Sequence, residues 1–280
     1  MRINNKWMGW VFAIACLSLG GCKKIVNPVA GNPDSQLAFI TVSEYLNAEI
    51  TPTDGGVAYI LLDTSVAAYT QDGINTSLPN FTDGFDLYPE GSTNSTEAVP
   101  WIQGMHVYAG QHTMTLTDTG GHYPLIRNEA FTTNDTYPTT VIFSDSMGVF
   151  GSWITTDTPV SVTGQIRVRL IDLSPDAGSI FFTSGSQAPP PGSPAVMNYG
   201  METSFINFPS PSADTTLSFL FYNAGDSVDV VAAAFLAASP GHSYTIIVQG
   251  YENAESYQDH ISGRPFNFSP DLRTMMLQDF

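Results

Sequence analysis

Thr82-Asp83-Gly84-Phe85-Asp86 is the chain's nearest approach to a cation loop. Calcium takes about six to eight oxygen ligands, mostly carboxylates and carbonyls. Asp83 and Asp86 would supply two of them, but the full D-x-D-x-D-G pattern with its distal Glu is missing. Phe81, Phe85, Tyr88 and Trp101 fall in the same stretch, interleaved with Asn and Asp. Aromatic faces beside amides and carboxylates can hold sugars, stacking on their apolar faces and bonding their hydroxyls. The competing reading is that these side chains only pin a long loop to the body. The five histidines, His106, His112, His122, His242 and His260, show no i, i+4 pair of the kind a helical zinc site uses. Lysine ends at Lys24, which removes lysine-based catalysis from the rest of the chain. There is no G-x-S-x-G, H-E-x-x-H, P-loop or G-x-G-x-x-G. The 26 acidic residues contain no pair that spacing singles out for glycoside hydrolysis. A net charge of −17 excludes nucleic acid as a partner, since little is left to neutralise phosphates. The expectation is a non-enzyme without a cofactor, with calcium at Asp83 and Asp86 as the favoured metal reading.

The most specific signal is at the start. Arg2 and Lys6 form a basic segment, and Trp7 to Leu19 is mainly apolar but too short to span a bilayer. Leu19-Gly20-Gly21-Cys22 comes directly after it. This tetrapeptide resembles the bacterial lipobox, which implies cleavage before Cys22 and lipid on its thiol. Cys16 would be lost with the leader, so the mature chain would hold no disulfide and no thiolate metal site. Several acyl chains give stable anchoring, and Lys23 and Lys24 stand beside the anchor. The expected address is the outer membrane, at its periplasmic or cell-surface face. The absence of an acidic run in Lys23–Asn27 favours the periplasmic side. Residues 22–36, with Pro28 and Pro33 among them, read as a spacer.

The rest of the chain is built for strands. Only 12% of residues are charged, and the chain holds 24 Gly and 19 Pro, a composition poor in helix formers and rich in turns. Ile166, Val168 and Leu170 alternate with Arg167, Arg169 and Ile171, the period of a strand. The chain also repeats itself. Thr113–Gly120, Ala130-Phe131 and Tyr137–Phe143 match Leu217–Gly225, Ala234-Phe235 and Tyr244–Val248 at an offset of about 105 residues. Leu37–Leu46 matches Ile166–Leu173 at a larger offset, so the first copy is longer in its middle, within Thr70–Pro100. The closing segments Trp153–Asp157 and Met276–Asp279 also correspond. The alanine-rich Val230–Ser239 is expected to be a strand, because its counterpart Leu125–Thr133 is a poor helix former. Tyr251–Pro270 is expected to be a short helix or a long loop.

Ile166-Arg-Val-Arg-Leu-Ile-Asp-Leu-Ser-Pro-Asp-Ala177 resembles the opening signature of domain-of-unknown-function family 4397, and Tyr244–Gly250 resembles that family's Tyr-Thr-hydrophobic-Gly strand. The resemblance implies secreted or lipid-anchored bacterial β-sandwich domains, with no biochemical activity attached. In the first copy Ser43–Ala48 takes the place of the Asp-Leu-Ser-Pro-Asp-Ala turn. In that turn Asp172 or Ser174 can accept backbone N–H bonds, or Asp172 and Asp176 can form an anion cluster. Asp145-Ser-Met, Asp214-Thr-Thr and Asp226-Ser-Val look like short bacterial O-glycosylation sites.

The sequence therefore predicts an all-β chain with two tandem Ig-like β-sandwich domains, 37–157 and 165–280, joined by a linker at 158–164, behind a signal peptide (1–21). The expected role is an envelope lipoprotein that binds, adheres or scaffolds. Its partners would be the membrane, through the lipid, and an envelope protein or glycan. The rivals are a glycan-binding accessory of nutrient uptake, using Phe81, Phe85, Tyr88 and Trp101, and a fimbria-like subunit that exchanges strands.

Overall fold

The computed structural model describes residues 35–43, 46, 60–63, 105–117, 123–146, 148–156, 160–185, 189–210, 214–258, 263 and 265–279. The chain is all-β, as its periodicity predicts. The first seven strands are β1 (Ser35–Thr41), β2 (Ile60–Leu62), β3 (Met105–Val107), β4 (Gly110–Thr117), β5 (Pro124–Thr133), β6 (Thr139–Ser146) and β7 (Val149–Thr156). They form one sheet in the order β3-β1-β6-β7 and a second in the order β2-β4-β5. Leu37, Phe39, Met114, Leu116, Val141 and Phe143 fill the space between them.

The second half begins with β8 (Gln165–Asp172), β9 (Ile180–Ser184), β10 (Met201–Glu202) and β11 (Ile206–Pro209). It continues with β12 (Thr215–Asn223), β13 (Asp226–Ala238), β14 (Ser243–Gln249), β15 (Glu255–Gln258), β16 (Pro265–Phe268) and β17 (Arg273–Gln278). One sheet runs β10-β8-β14-β17, with β11 also on β8, and the other runs β13-β12-β9. Ile166, Val168, Leu170, Phe182, Phe219, Phe221 and Ile246 form its core. Thr274 Oγ1 of β17 donates to the Ala233 carbonyl of β13 (2.8 Å), tying the two sheets together at one side. The alanine-rich stretch is strand β13. Alternation puts Ala232, Ala234, Leu236 and Ala238 inside, where small side chains let the facing Phe219 and Phe221 fit.

Both halves repeat one pairing plan. β1 runs parallel to β6, and β6 is antiparallel to β7. β8 runs parallel to β14, and β14 is antiparallel to β17. The backbone bond from Val42 N to Phe143 O is matched by the bond from Leu173 N to Val248 O. This register corrects the match of Ser43 with Asp172. Thr41 stands where Asp172 stands, Ser43 where Ser174 stands, and buried Leu46 where buried Ala177 stands. The local bonds agree, since Ser43 N donates to Thr41 Oγ1 and Ser174 N to Asp172 Oδ1.

A further correction concerns 251–270. Among its described residues, β15 pairs antiparallel with β16, in place of the expected helix or long loop. Its aromatic side chains explain it. Tyr257 lies against Phe266, and Phe266 against Phe268, a cross-strand cluster that a polar loop would not form. The cluster reaches the first half, where the Phe150 ring meets Tyr257 edge-on at 5.7 Å.

The outward faces of the two parallel-paired sheets are not left to solvent. Ile40, Val42 and Ile142 of the first half pack with Ile171, Leu173, Ile247 and Met275 of the second. Burying an aliphatic side chain stabilises by about 1.5–3 kcal/mol. This seam makes residues 33–280 one compact unit.

Candidate functional site

Four polar constellations are the candidates, and three of them are occupied in holding strands together. The first is Asp63 and His112. His112 Nδ1 lies 2.8 Å from Asp63 Oδ2, and its Nε2 lies 2.7 Å from the Tyr108 carbonyl. Asp63 Oδ1 accepts from Thr113 N at 3.0 Å, which holds Asp63 at φ +55°. Both imidazole nitrogens face acceptors, so neither is offered to a metal or a substrate. The pair fastens the end of β2 to β4. Spacing gave no hint of it, because the partners are far apart in sequence.

The second is the Asp-Leu-Ser-Pro-Asp-Ala turn. Asp172 Oδ1 accepts from Ser174 N (3.1 Å), and Ser174 Oγ donates to the Gly250 carbonyl (2.9 Å). Asp176 accepts from Glu252 N (2.7 Å) and from Asn253 N and Nδ2 (2.8 and 3.1 Å). The two aspartates serve separate backbone turns and form no anion cluster. The turn after β8 is thereby clamped to the turn after β14. Burial pushes the Asp172 pKa up from 3.8 to about 7, and the Ser174 N–H offsets only part of this. Its Oδ2 is buried without a hydrogen-bond partner.

The third is the polar side of the seam. Asp145 takes the register position of Gly250. Its carboxylate accepts from the Ser43 hydroxyl, the Tyr251 hydroxyl and Gly148 N. Asp145, the first residue of the Asp145-Ser-Met sequence, is thus buried and bonded, while Ser146 beside it is partly exposed. Nearby, Tyr199 OH pairs with Ser144 Oγ at 3.2 Å. Burial raises the Tyr199 pKa, the Ser144 bond lowers it, and the charges of Asp145 and Asp172 raise it further. Trp153 Nε1 donates to Glu202 Oε2 (3.1 Å), and Arg169 Nη1 lies 3.4 Å from Glu202 Oε1. Arg169, which alternation places on an outward face, is nonetheless buried. Its Nε and Nη2 donate to Thr245 Oγ1, which in turn donates to Asp279. We expect Tyr251→Phe to destabilise the protein by about 1–3 kcal/mol, because it leaves buried Asp145 short of a donor. Urea unfolding of both proteins at one pH measures this, and an unchanged midpoint would show that the Tyr251 bond does not hold the seam.

The fourth holds nothing together. A groove of about 640 Å³ opens in the second half between the β9–β12 end and β11. Its walls include Pro189, Pro190, Pro191, Asn207, Phe208 and Ser218, and none of its described lining residues is charged. The volume lies within the range of small-ligand pockets.

Phe81, Phe85, Tyr88, Trp101, Asp83, Asp86 and Cys22 lie outside the described residues. Among the described residues no group of three or more His, Cys, Asp or Glu is placed to hold a metal ion. No family model matches the chain, and no curated protein matches it.

Proposed function

We propose that this chain is a non-catalytic module of the bacterial cell envelope, carried by lipid on Cys22, which presents a rigid double β-sandwich for binding or scaffolding. The observation that carries the reading is Leu19-Gly20-Gly21-Cys22 directly behind a short apolar segment. The body supports it. The carboxylates and hydroxyls that could have served chemistry at Asp63, Asp145, Asp176 and Ser174 are hydrogen-bonded to other strands and turns. A seam packed with Ile142, Ile171 and Ile247 suits a module that holds its surfaces in a fixed relation. Membership of the 4397-like family belongs to the same proposal. It rests on Ile166–Ala177, whose signature residues have the structural task of joining two turns.

The test is lipid labelling in a Gram-negative host. The wild-type chain should incorporate labelled fatty acid and lose residues 1–21. Cys22→Ala should accumulate as an unlabelled precursor. Normal processing of that variant would overturn the anchor and with it the envelope address.

A further inference from the structure

We propose that the uncharged groove of the second half, together with the sheet face it opens onto, binds a neutral glycan chain. This rests on the binding-module reading above and names its ligand.

Alternation defines the face. Phe219 and Phe221 of β12 point into the core, so Ser218, Leu220 and Tyr222 point out. β13 places Phe235 beside Ser218 and Ala233 beside Leu220. β9 lays the Phe181 ring on Tyr222, with centroids 5.1 Å apart and planes 14° apart. Phe235 and Val230 are each 48% exposed, large apolar side chains left open on an otherwise acidic protein. No residue of Phe181–Ser184, Thr216–Tyr222 or Val230–Ala238 carries a charge. The matching strand of the first half is ordinary surface, with exposed Arg127 and partly exposed Glu129. The uncharged character therefore belongs to these stretches of the sheet and not to the repeat, and exposed Asp229 marks its limit on β13.

The groove continues the face, since Thr216 and Ser218 line it as well. It adds the Asn207 amide and the Ser184 hydroxyl beside the flat rings of Pro189–Pro191. Apolar planes interleaved with hydroxyl and amide groups match a pyranose chain, whose C–H faces stack while its hydroxyls bond. Charge selects the occupant further. A chain of net charge −17 repels polyanions and other copies of itself, and this site has no cation to overcome that. Nor do its described lining residues include a carboxylate to attract a cationic partner.

The experiment puts the full-length protein, solubilised in detergent, on an array of neutral oligosaccharides (gluco-, manno- and galacto-series) beside uronic-acid oligosaccharides. Titration calorimetry is then run with the best-bound sugar. Neutral sugars should bind and uronates should not. Ser218→Arg puts a long cation into the groove and should weaken binding by about tenfold or more, equivalent to about 1.4 kcal/mol. Phe235→Ala should weaken it less. Thr132→Arg, on the exposed face of the first half, should change nothing, and a thermal melt checks that each variant folds. Binding of no neutral sugar, or equal binding by Ser218→Arg, would overturn the proposal. So would sizing that shows a dimer broken by Phe235→Asp, which would assign the face to self-association. Each of these results leaves lipid labelling at Cys22 intact, so the glycan inference can fail while the envelope reading stands.

Discussion

Gly250→Ala should cost about 4 kcal/mol or more of stability, a large share of what a small domain possesses. Gly250 has φ +85°, and a Cβ built on it would overlap the carbonyl of Asp271, with the Leu272 Cα also close. The obstacle is backbone, which cannot rotate aside as a side chain can. Three other bonds converge there. The Gly250 carbonyl accepts from Ser174 Oγ, Asp271 N donates to the Tyr251 carbonyl, and Tyr251 reaches across the seam to Asp145. A shift at Gly250 therefore disturbs the signature turn, the base of the β15–β16 hairpin and the seam together. Gly178→Ala is the control. Gly178 also has positive φ (+68°), but a Cβ there meets nothing within 4 Å. It should cost only the backbone strain, about 1–2 kcal/mol. Urea midpoints of the three proteins decide the matter, and equal midpoints for the two variants would refute the backbone clash as the cause.

The second large effect is a pH dependence seated at Asp172. Its folded pKa is about 7 against 3.8, because the carboxyl is buried and only one of its oxygens is bonded. The unfolded chain therefore releases this proton at lower pH than the folded one. Below about pH 4 the group costs nothing. As pH rises toward 7 the unfolded state ionises first, and stability falls, levelling above the folded pKa. Linkage sets the loss at about 4 kcal/mol. Asp172→Asn keeps an oxygen for the Ser174 N–H and abolishes the titration. The stability of wild type relative to this variant should drop between pH 4 and pH 8. A constant difference over that range would show that Asp172 titrates normally in the fold. Comparing against the variant isolates this carboxyl from the other acidic residues, which titrate in both proteins.

Strand identity was legible in the sequence because side chains on a strand alternate, and Ile166-Arg-Val-Arg-Leu-Ile shows the pattern directly. The two-fold repetition was legible because β4–β6 and β12–β14 are built to the same strand plan. The start of the repeat was misaligned because only hydrogen-bond register shows Thr41 in the place of Asp172. A threonine hydroxyl and a carboxylate can accept the same backbone N–H, so the bond persists while the residue type changes. The hairpin at β15–β16 escaped because its strands are too short for alternation to show, and its stability comes from aromatic contacts with Phe150 of the other half.

The groove was invisible for a different reason. Its lining comes from β9, the Pro189–Pro191 segment, β11 and β12, none of which looks unusual alone. Composition and local periodicity determined that this chain is acidic, all-β and internally repeated, since each of these depends on residues close in sequence. Only tertiary structure decided that the two repeats lie back to back on Ile142 and Ile247, that Arg169 is buried and Asp145 bonded across the seam, and that the uncharged stretches of β9, β12 and β13 lie side by side. Each of these depends on which side chains from distant strands come within a few ångströms of one another.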